Sequence, residues 1–304
     1  MEPGPALLSS QIDLPLFSKG KVRDTYVLSD DRLLMVTTDR ISAYDHVLPT
    51  GIPDRGKVLT QLSIFWFSQT LGFQENHLVS GMVPDLPDSL RAQRDQLSGR
   101  FMIVKRAQRI DVECVVRGYL AGSAWSEYQQ TGGVAGESLG AGLEQSQKLD
   151  HPIFTPASKE DSGHDQNITF AQMRTLLGDD LAERLKSASL GLYEHAEKQS
   201  AARGLILADT KFEFGLVEGR LVLIDEVLTP DSSRYWDAGL YRVGISPPSY
   251  DKQFVRDWLD GSGWDRESEP PRLPDDIVGQ TRERYLAAYQ KLVGTPLFPD
   301  KERV

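Results

Sequence analysis

Several short stretches of the chain put charged side chains at spacings suited to phosphate and metal chemistry. The densest is Asp209-Thr210-Lys211-Phe212-Glu213-Phe214-Gly215. In an extended segment side chains alternate, so Asp209, Lys211 and Glu213 share one face, and Phe212 and Phe214 can face a core. Across a turn at Glu218-Gly219 lies Leu223-Ile224-Asp225-Glu226. A two-residue turn pairs position 213 with 224 and leaves Asp225 on the opposite face. A three-residue loop with a bulge pairs 213 with 225 and brings the carboxylates together. Glu213 and Asp225 with nucleotide phosphates would make a magnesium shell, because this ion takes one or two carboxylates and keeps waters. The plain structural alternative is a ladder of ion pairs built on Lys211.

Ser18-Lys19-Gly20-Lys21-Val22-Arg23-Asp24 sets Lys21 and Arg23 at alternate positions after a glycine. A glycine-flanked hairpin with inward cations can cover a polyphosphate; an edge strand with a solvated basic face is the alternative. Val112-Glu113-Cys114-Val115-Val116-Arg117 reads as a strand ending at Arg117, and Gly118 to Gly122 lead to a helix over 124–130 with Ser123 as its N-cap. A capped helix start beside an arginine suits a monophosphate, although a surface Arg next to an ordinary helix has the same pattern. Asp231-Ser232-Ser233-Arg234 reads as a polar turn after Pro230, and Asp39 to Asp45 as a polar loop leaving a buried strand. Gly51 to Lys57 fits the phosphate-loop spacing, but Val58 stands where that loop needs Ser or Thr, so the match is by chance. The His residues show no metal-ligand spacing, and Cys114 alternates within an apolar strand as a small buried side chain would.

These residues need strands to hold them. Lys21 to Leu28 and Arg32 to Thr38 read as an antiparallel hairpin, and 101–104, 112–116, 205–208, 212–217 and 220–224 as further strands. Lys57 to Leu71 reads as a buried helix, Thr169 to Gln199 as a helix with Leu176, Leu177, Leu181, Leu185 and Leu192 in its apolar stripe, and 251–259 and 275–293 as C-terminal helices. Gly132 to Asn167 reads as a long loop, the kind that forms a lid or binding loop.

The chain has 304 residues, which suits two lobes better than one core, since cores stop growing at roughly 250–300 residues. A net charge of −10 argues against a general nucleic-acid coat or a binder of anionic membranes, which need basic surfaces. A single cysteine excludes an internal disulfide and a cysteine-based zinc site, so a reducing, cytoplasmic setting is expected. No signal peptide or membrane-length apolar run is visible.

Taken in order from Lys19 to Trp236, these segments resemble the SAICAR synthetase (phosphoribosylaminoimidazole-succinocarboxamide synthase) family of purine biosynthesis. Gly20 to Asp24 looks like its phosphate-covering hairpin. Val112 to Arg117 with Ala121-Gly122-Ser123 looks like one family signature, and Leu207 to Gly215 like the other; Asp225-Glu226 and Pro230 to Trp236 continue the pattern. One departure is local: many members have Pro and an aliphatic residue before the Glu, where this chain has Ile110-Asp111-Val112. The stretch from Pro152 through His164-Asp165 resembles the longer, single-chain branch.

The resemblance implies an α+β fold: a kinase-like antiparallel N-terminal lobe (1–104), a larger C-terminal lobe (105–304) and an ATP cleft between them. It implies ATP-dependent ligation of carboxyaminoimidazole ribonucleotide with L-aspartate, giving the succinocarboxamide SAICAR, ADP and phosphate through an acyl phosphate. By motif match, Lys21 and Arg23 would hold ATP phosphates, Lys105 and Glu113 the nucleoside part, and Glu213 and Asp225 Mg2+. Arg117, Ser123 and Arg234 would grip the ribonucleotide phosphate, with Asp231 also on the substrate side. Asp209 and Lys211 would sit where charge develops, and Ser42 and Asp45 would meet the aspartate or imidazole. No nucleic acid or membrane partner is expected, and a monomer is. The rival readings are a small-molecule kinase of similar shape and a non-catalytic nucleotide-binding module.

Overall fold

The structure is a computed structural model that describes residues 4–159, 166–250 and 252–298. It is an α+β fold built on two antiparallel sheets. The first has the strand order Leu16–Lys19, Arg23–Val27, Arg32–Thr37, Phe101–Lys105, Leu78–Ser80. The apolar run Leu33-Leu34-Met35-Val36 is buried on both faces. Leu34 and Val36 join Phe101 and Ile103 in a small outer core, while Leu33 and Met35 join the main core with Trp66 and Phe67 of helix Arg55–Thr70. Continuous hydrophobicity is what a strand covered on both sides requires.

The second sheet is organised by one strand, Leu205–Val217. The sequence reads as two strands here, with a polar break at Asp209-Thr210-Lys211. The charged Asp209 and Lys211 share one face while Thr210 is buried on the other against the Ser233 hydroxyl, so the backbone runs through, with an irregularity between Leu207 and Asp209. Val112–Tyr119 pairs along one side of it, Ser233–Asp237 along the other, and Arg220–Ile224 closes a hairpin. Helix Asp179–Ala201 covers the apolar face: Leu185, Leu192 and Ala196 share a core with Phe212, Phe214 and Cys114. Burial pushes the Cys114 thiol up to about 12, so it stays protonated as a packing group.

Two other expectations change. The helix expected over 169–199 is two helices, Phe170–Leu177 and Asp179–Ala201, parted at Gly178, whose φ of 84° no helix accepts. Leu176 therefore leaves the apolar stripe and is exposed. The long loop expected over 132–167 contains strands Lys148–Phe154 and Ala157–Ser158, both paired with Val112–Tyr119. Pro152 and the polar 150–151 pair hid a strand that buries Leu149, Ile153 and Phe154. His164 and Asp165 lie outside the described residues. The C-terminal helices are Gln253–Gly261 and Asp275–Val293, the second packed on Arg55–Thr70. No helix among the described residues is long and apolar enough to cross a membrane.

Candidate active site

The candidate site is the polar face of the second sheet together with the cleft it forms beneath the first. Register places Asp209 opposite Arg117 on one neighbouring strand and opposite Arg234 on the other. Arg234 Nη1 donates to Asp209 Oδ2 at 2.6 Å, and Arg117 Nη1 lies 3.8 Å from the same oxygen. Arg117 Nε donates to Thr155 Oγ1 at 2.9 Å and its Nη2 to Ser123 Oγ at 3.3 Å. Burial pulls the Arg117 guanidinium down, Asp209 opposes that, and Arg234 adds to it. Among the described residues this gathers two arginines around one carboxylate, an arrangement suited to an anion.

Three sequence expectations are corrected here. Arg117 lies inside a strand that continues to Tyr119, because the glycine after it can be extended backbone as well as turn. Arg234 stands on strand Ser233–Asp237, not in a turn. Ser123 is the first residue of helix Ser123–Thr131, and the capping position belongs to Gly122 at φ 57°. A Cβ at Gly122 would come 2.7 Å from Arg234 Nη2. Gly122→Ala is therefore expected to strain the backbone and push Arg234 off its place, weakening the binding of a phosphate anion at this corner about tenfold. Phosphate binding as tight as the natural protein's would show that Gly122 does not hold Arg234 in place.

The other half begins two residues further along the same strand face, at Lys211, and continues to Glu213. Lys211 Nζ is 2.5 Å from Glu113 Oε1 and 3.3 Å from Glu213 Oε1. Burial would pull this ammonium down, but Glu213 and Glu113 hold it above its usual range. Glu213 also pairs with Lys159, whose Nζ is 2.5 Å from Oε2. The hairpin takes the two-residue turn, with Glu213 paired to Ile224 and with Glu218 and Gly219 both at positive φ. That register alone would leave Asp225 facing away. The strand ends at Ile224, however, and Asp225 leaves it in the left-handed region (φ 61°), so Glu213 and Asp225 line one cleft of about 570 Å³.

Asp225 is paired with Arg23, whose Nη2 is 2.8 Å from Glu226 Oε2. Burial acts to raise the Asp225 carboxyl, yet Arg23, Lys211 and Lys159 together hold it down at about 2. Two carboxylates facing one cleft fit magnesium, which leaves its other positions to water and phosphate oxygens. Among the described residues no group of three His, Cys, Asp or Glu could cage a metal unaided.

The opposite wall of the cleft is apolar and comes from the first sheet, with Leu33, Met35 and Val104 beside Ile224. Lys105 ends its strand at the rim, and its backbone N–H donates to His77 O at 2.8 Å. His77 N–H in turn donates to Leu223 O at 3.0 Å, which joins the two sheets. Burial pushes the His77 imidazole down to about 4, so it is neutral near pH 7.

Lys21 lies in the exposed turn before strand Arg23–Val27, not in the ladder expected of it, and pairs with Asp45. Ser42 is buried in a short ribbon beside Val47. The structure therefore brings Lys21 and Asp45 together and sets Ser42 behind them.

Two features escape sequence reasoning. Arg40 donates through Nη2 to Gly20 O at 2.9 Å and through Nε to Lys21 O at 3.1 Å, and it forms an ion pair with Asp24 at 2.7 Å. It clamps the glycine turn by its carbonyls. Lys159 gave no sequence signal, since it sits at the edge of a segment that reads as a loop. Asp231 is the clearest displacement. Its side chain is 4% exposed and is held by Arg55, by Lys252 at 2.9 Å and by the Tyr285 hydroxyl at 2.8 Å. All three donors satisfy its carboxylate, which ties the start of helix Arg55–Thr70 to Lys252 and to helix Asp275–Val293.

The SAICAR synthetase family model matches residues 16–271. A phosphoribosylaminoimidazole-succinocarboxamide synthase of Elusimicrobium minutum is 50% identical over 286 residues, covering 93% of this chain and 98% of the relative. One from Syntrophobacter fumaroxidans is 51% identical over 282 residues, covering 92% and 93%. Among solved structures, the SAICAR synthase of Saccharomyces cerevisiae complexed with SAICAR superposes with a TM-score of 0.88 at 43% identity, covering 95% of this chain and 99% of that one. A SAICAR synthetase from Pyrococcus horikoshii, at 23% identity and a TM-score of 0.67, shares the fold. With residues 16–271 matched by the family model and nearly its whole length matched by relatives about half identical to it, the chain belongs to the SAICAR synthetase family.

Proposed function

We propose that the cleft and the polar sheet face divide the family's reaction between them. The chain is a ligase that joins the carboxylate of carboxyaminoimidazole ribonucleotide to the amino group of L-aspartate in purine biosynthesis. ATP lies in the cleft, its adenine against Leu33, Met35 and Val104 and the Lys105 rim, and its phosphates toward Arg23 and Lys21. Glu113 lies near the nucleoside through Lys211. Glu213 and Asp225 hold Mg2+, which supplies charge neutralisation to the phosphates when bound. Arg117, Arg234, Ser123 and the start of helix Ser123–Thr131 take the ribonucleotide phosphate, and Asp209 keeps the two guanidiniums in register.

The chemistry follows from the reactants. A carboxylate is a poor electrophile. Its oxygen therefore attacks the γ-phosphoryl group, the bond to ADP breaks, and an acyl phosphate forms. The aspartate amine then attacks the acyl carbon, phosphate leaves, and the amine gives up a proton. The residues contribute positioning and charge, with the Lys211 ammonium set beside the developing negative charge. Ser42 and Asp45 are assigned to the aspartate side.

The observation that carries this reading is the single strand face that bears Asp209 between two arginines at one end and Glu213 beside Asp225 at the other. We take residues 1–104 as the nucleotide-covering half and 105–304 as the substrate half, the protein as a monomer, and its setting as the cytoplasm. The lone, buried Cys114 accords with a reducing compartment. ATP turnover should require both the ribonucleotide and L-aspartate, with ADP and succinocarboxamide formed in equal amounts. Full product formation from ATP and one partner alone would mark a kinase and sink this reading.

A further inference from the structure

Resting on that reading, we propose that Lys159 is a counter-cation built into the metal site. In the unloaded protein its ammonium neutralises Glu213 where the metal ion does so in the loaded one. Once displaced, it contacts the phosphoryl group in transfer.

Glu213 is shared between two ammonium groups: Oε1 lies 3.3 Å from Lys211 and Oε2 lies 2.5 Å from Lys159. The two lysines are held differently. Lys211 is also fixed by Glu113 at 2.5 Å and rises from the middle of the central strand. Lys159 follows the short edge strand Ala157–Ser158, and its backbone N–H donates to Asp111 O at 3.2 Å. Its backbone is thus anchored while four methylenes leave the ammonium free to swing.

Lys159 lines the same cleft as Glu213 and Asp225, and its charge reaches both carboxylates. A dication at Glu213 would stand next to that ammonium. Two like charges cannot share one oxygen of a buried carboxylate without a large penalty, so the ammonium must leave as the ion enters. It leaves into a cleft that has just received a polyphosphate, whose oxygens are the partners its charge then needs.

This exchange predicts effects of opposite sign. Mn2+ binding to the full chain without nucleotide, followed by electron paramagnetic resonance of the free ion, should be about tenfold tighter in Lys159→Met than in the natural protein, because the competing cation is gone. The same variant should lose about a hundredfold in kcat, because the phosphoryl contact is gone. Lys159→Arg keeps the charge and should keep the weak Mn2+ binding. A purely structural lysine would not tighten metal binding when removed. Unchanged or weaker Mn2+ binding in Lys159→Met, or an unchanged kcat, overturns the proposal. Glu213→Gln, run in the same titration, should lose Mn2+ binding. If it binds as the natural protein does, the metal assignment itself is wrong, which separates that failure from failure of the exchange.

Discussion

Glu213→Gln should cut magnesium-supported turnover by at least about tenfold, the low end for disturbing a metal site, and saturating magnesium should not restore it. The substitution keeps volume and removes one negative charge. Glu213 is nearly buried and now faces two ammonium groups, Lys159 and Lys211. An amide offers one acceptor oxygen instead of a charged pair, and its NH2 meets ammonium donors head-on. Lys211 keeps its partner Glu113, so the fold should survive and the loss should appear in kcat. Asp225→Asn should act in the same direction and also free Arg23, which retains Glu226. Steady-state rates across a magnesium series check both. Natural activity at every magnesium concentration in Glu213→Gln would remove Glu213 from the metal shell.

Asp231→Asn should destabilise the protein without comparable damage to substrate binding. Arg55 is fully buried at the start of helix Arg55–Thr70, and its partner carboxylate is 4% exposed. Removing one member of such a pair leaves an uncompensated buried charge, at a cost of about 3–5 kcal/mol, or a drop of roughly 10 °C in Tm for a chain of this size. Tyr285 and Lys252 lose their acceptor as well.

The pH dependence follows from the same pair. Burial would raise the Asp231 carboxyl, but Arg55 and Lys252 bring it far below the ordinary 3.8. A depressed folded-state value means the unfolded chain takes up the proton first. The stabilisation is therefore fully present above about pH 4 and is lost as pH falls below it. Urea melts at pH 7 and pH 3 should show the natural protein converging on the variant at the lower pH. A KM for the ribonucleotide raised more than about tenfold at low temperature would instead return Asp231 to the substrate side.

Much of the site is legible in the sequence because strand alternation is a local rule. Asp209, Lys211 and Glu213 fall on one face, and Phe212 and Phe214 on the other, from spacing alone. Whether Asp225 joins them is not legible. It turns on a two-residue hairpin plus a positive φ at a single residue, and either half read alone gives the wrong side. The surroundings of Asp231 are hidden for a different reason. Its neighbours in sequence are polar and turn-like, but its partners come from residues 55, 252 and 285, and no local pattern announces three distant donors. Lys159 and Arg40 are hidden in the same way, since what each side chain grips is set by tertiary register. The helix break at Gly178 is the opposite case, a local signal overruled by the apolar repeat on either side of it.

The strand Leu205–Val217 also works as a ruler. Four residues of extended chain separate Asp209 from Glu213, about 13 Å at the usual rise, and that length is set by covalent geometry rather than by packing. The gap between the Asp209 corner and the Glu213 corner is thus insulated from changes in the loops, the helices and the chain ends. It is exposed to one kind of change only. A residue inserted or deleted between 209 and 213 would move one corner along the sheet and turn it through to the apolar side, uncoupling two sites that ordinary substitutions would alter one at a time. Variation in this enzyme is therefore cheap in loop length and prohibited in the phase of a single strand.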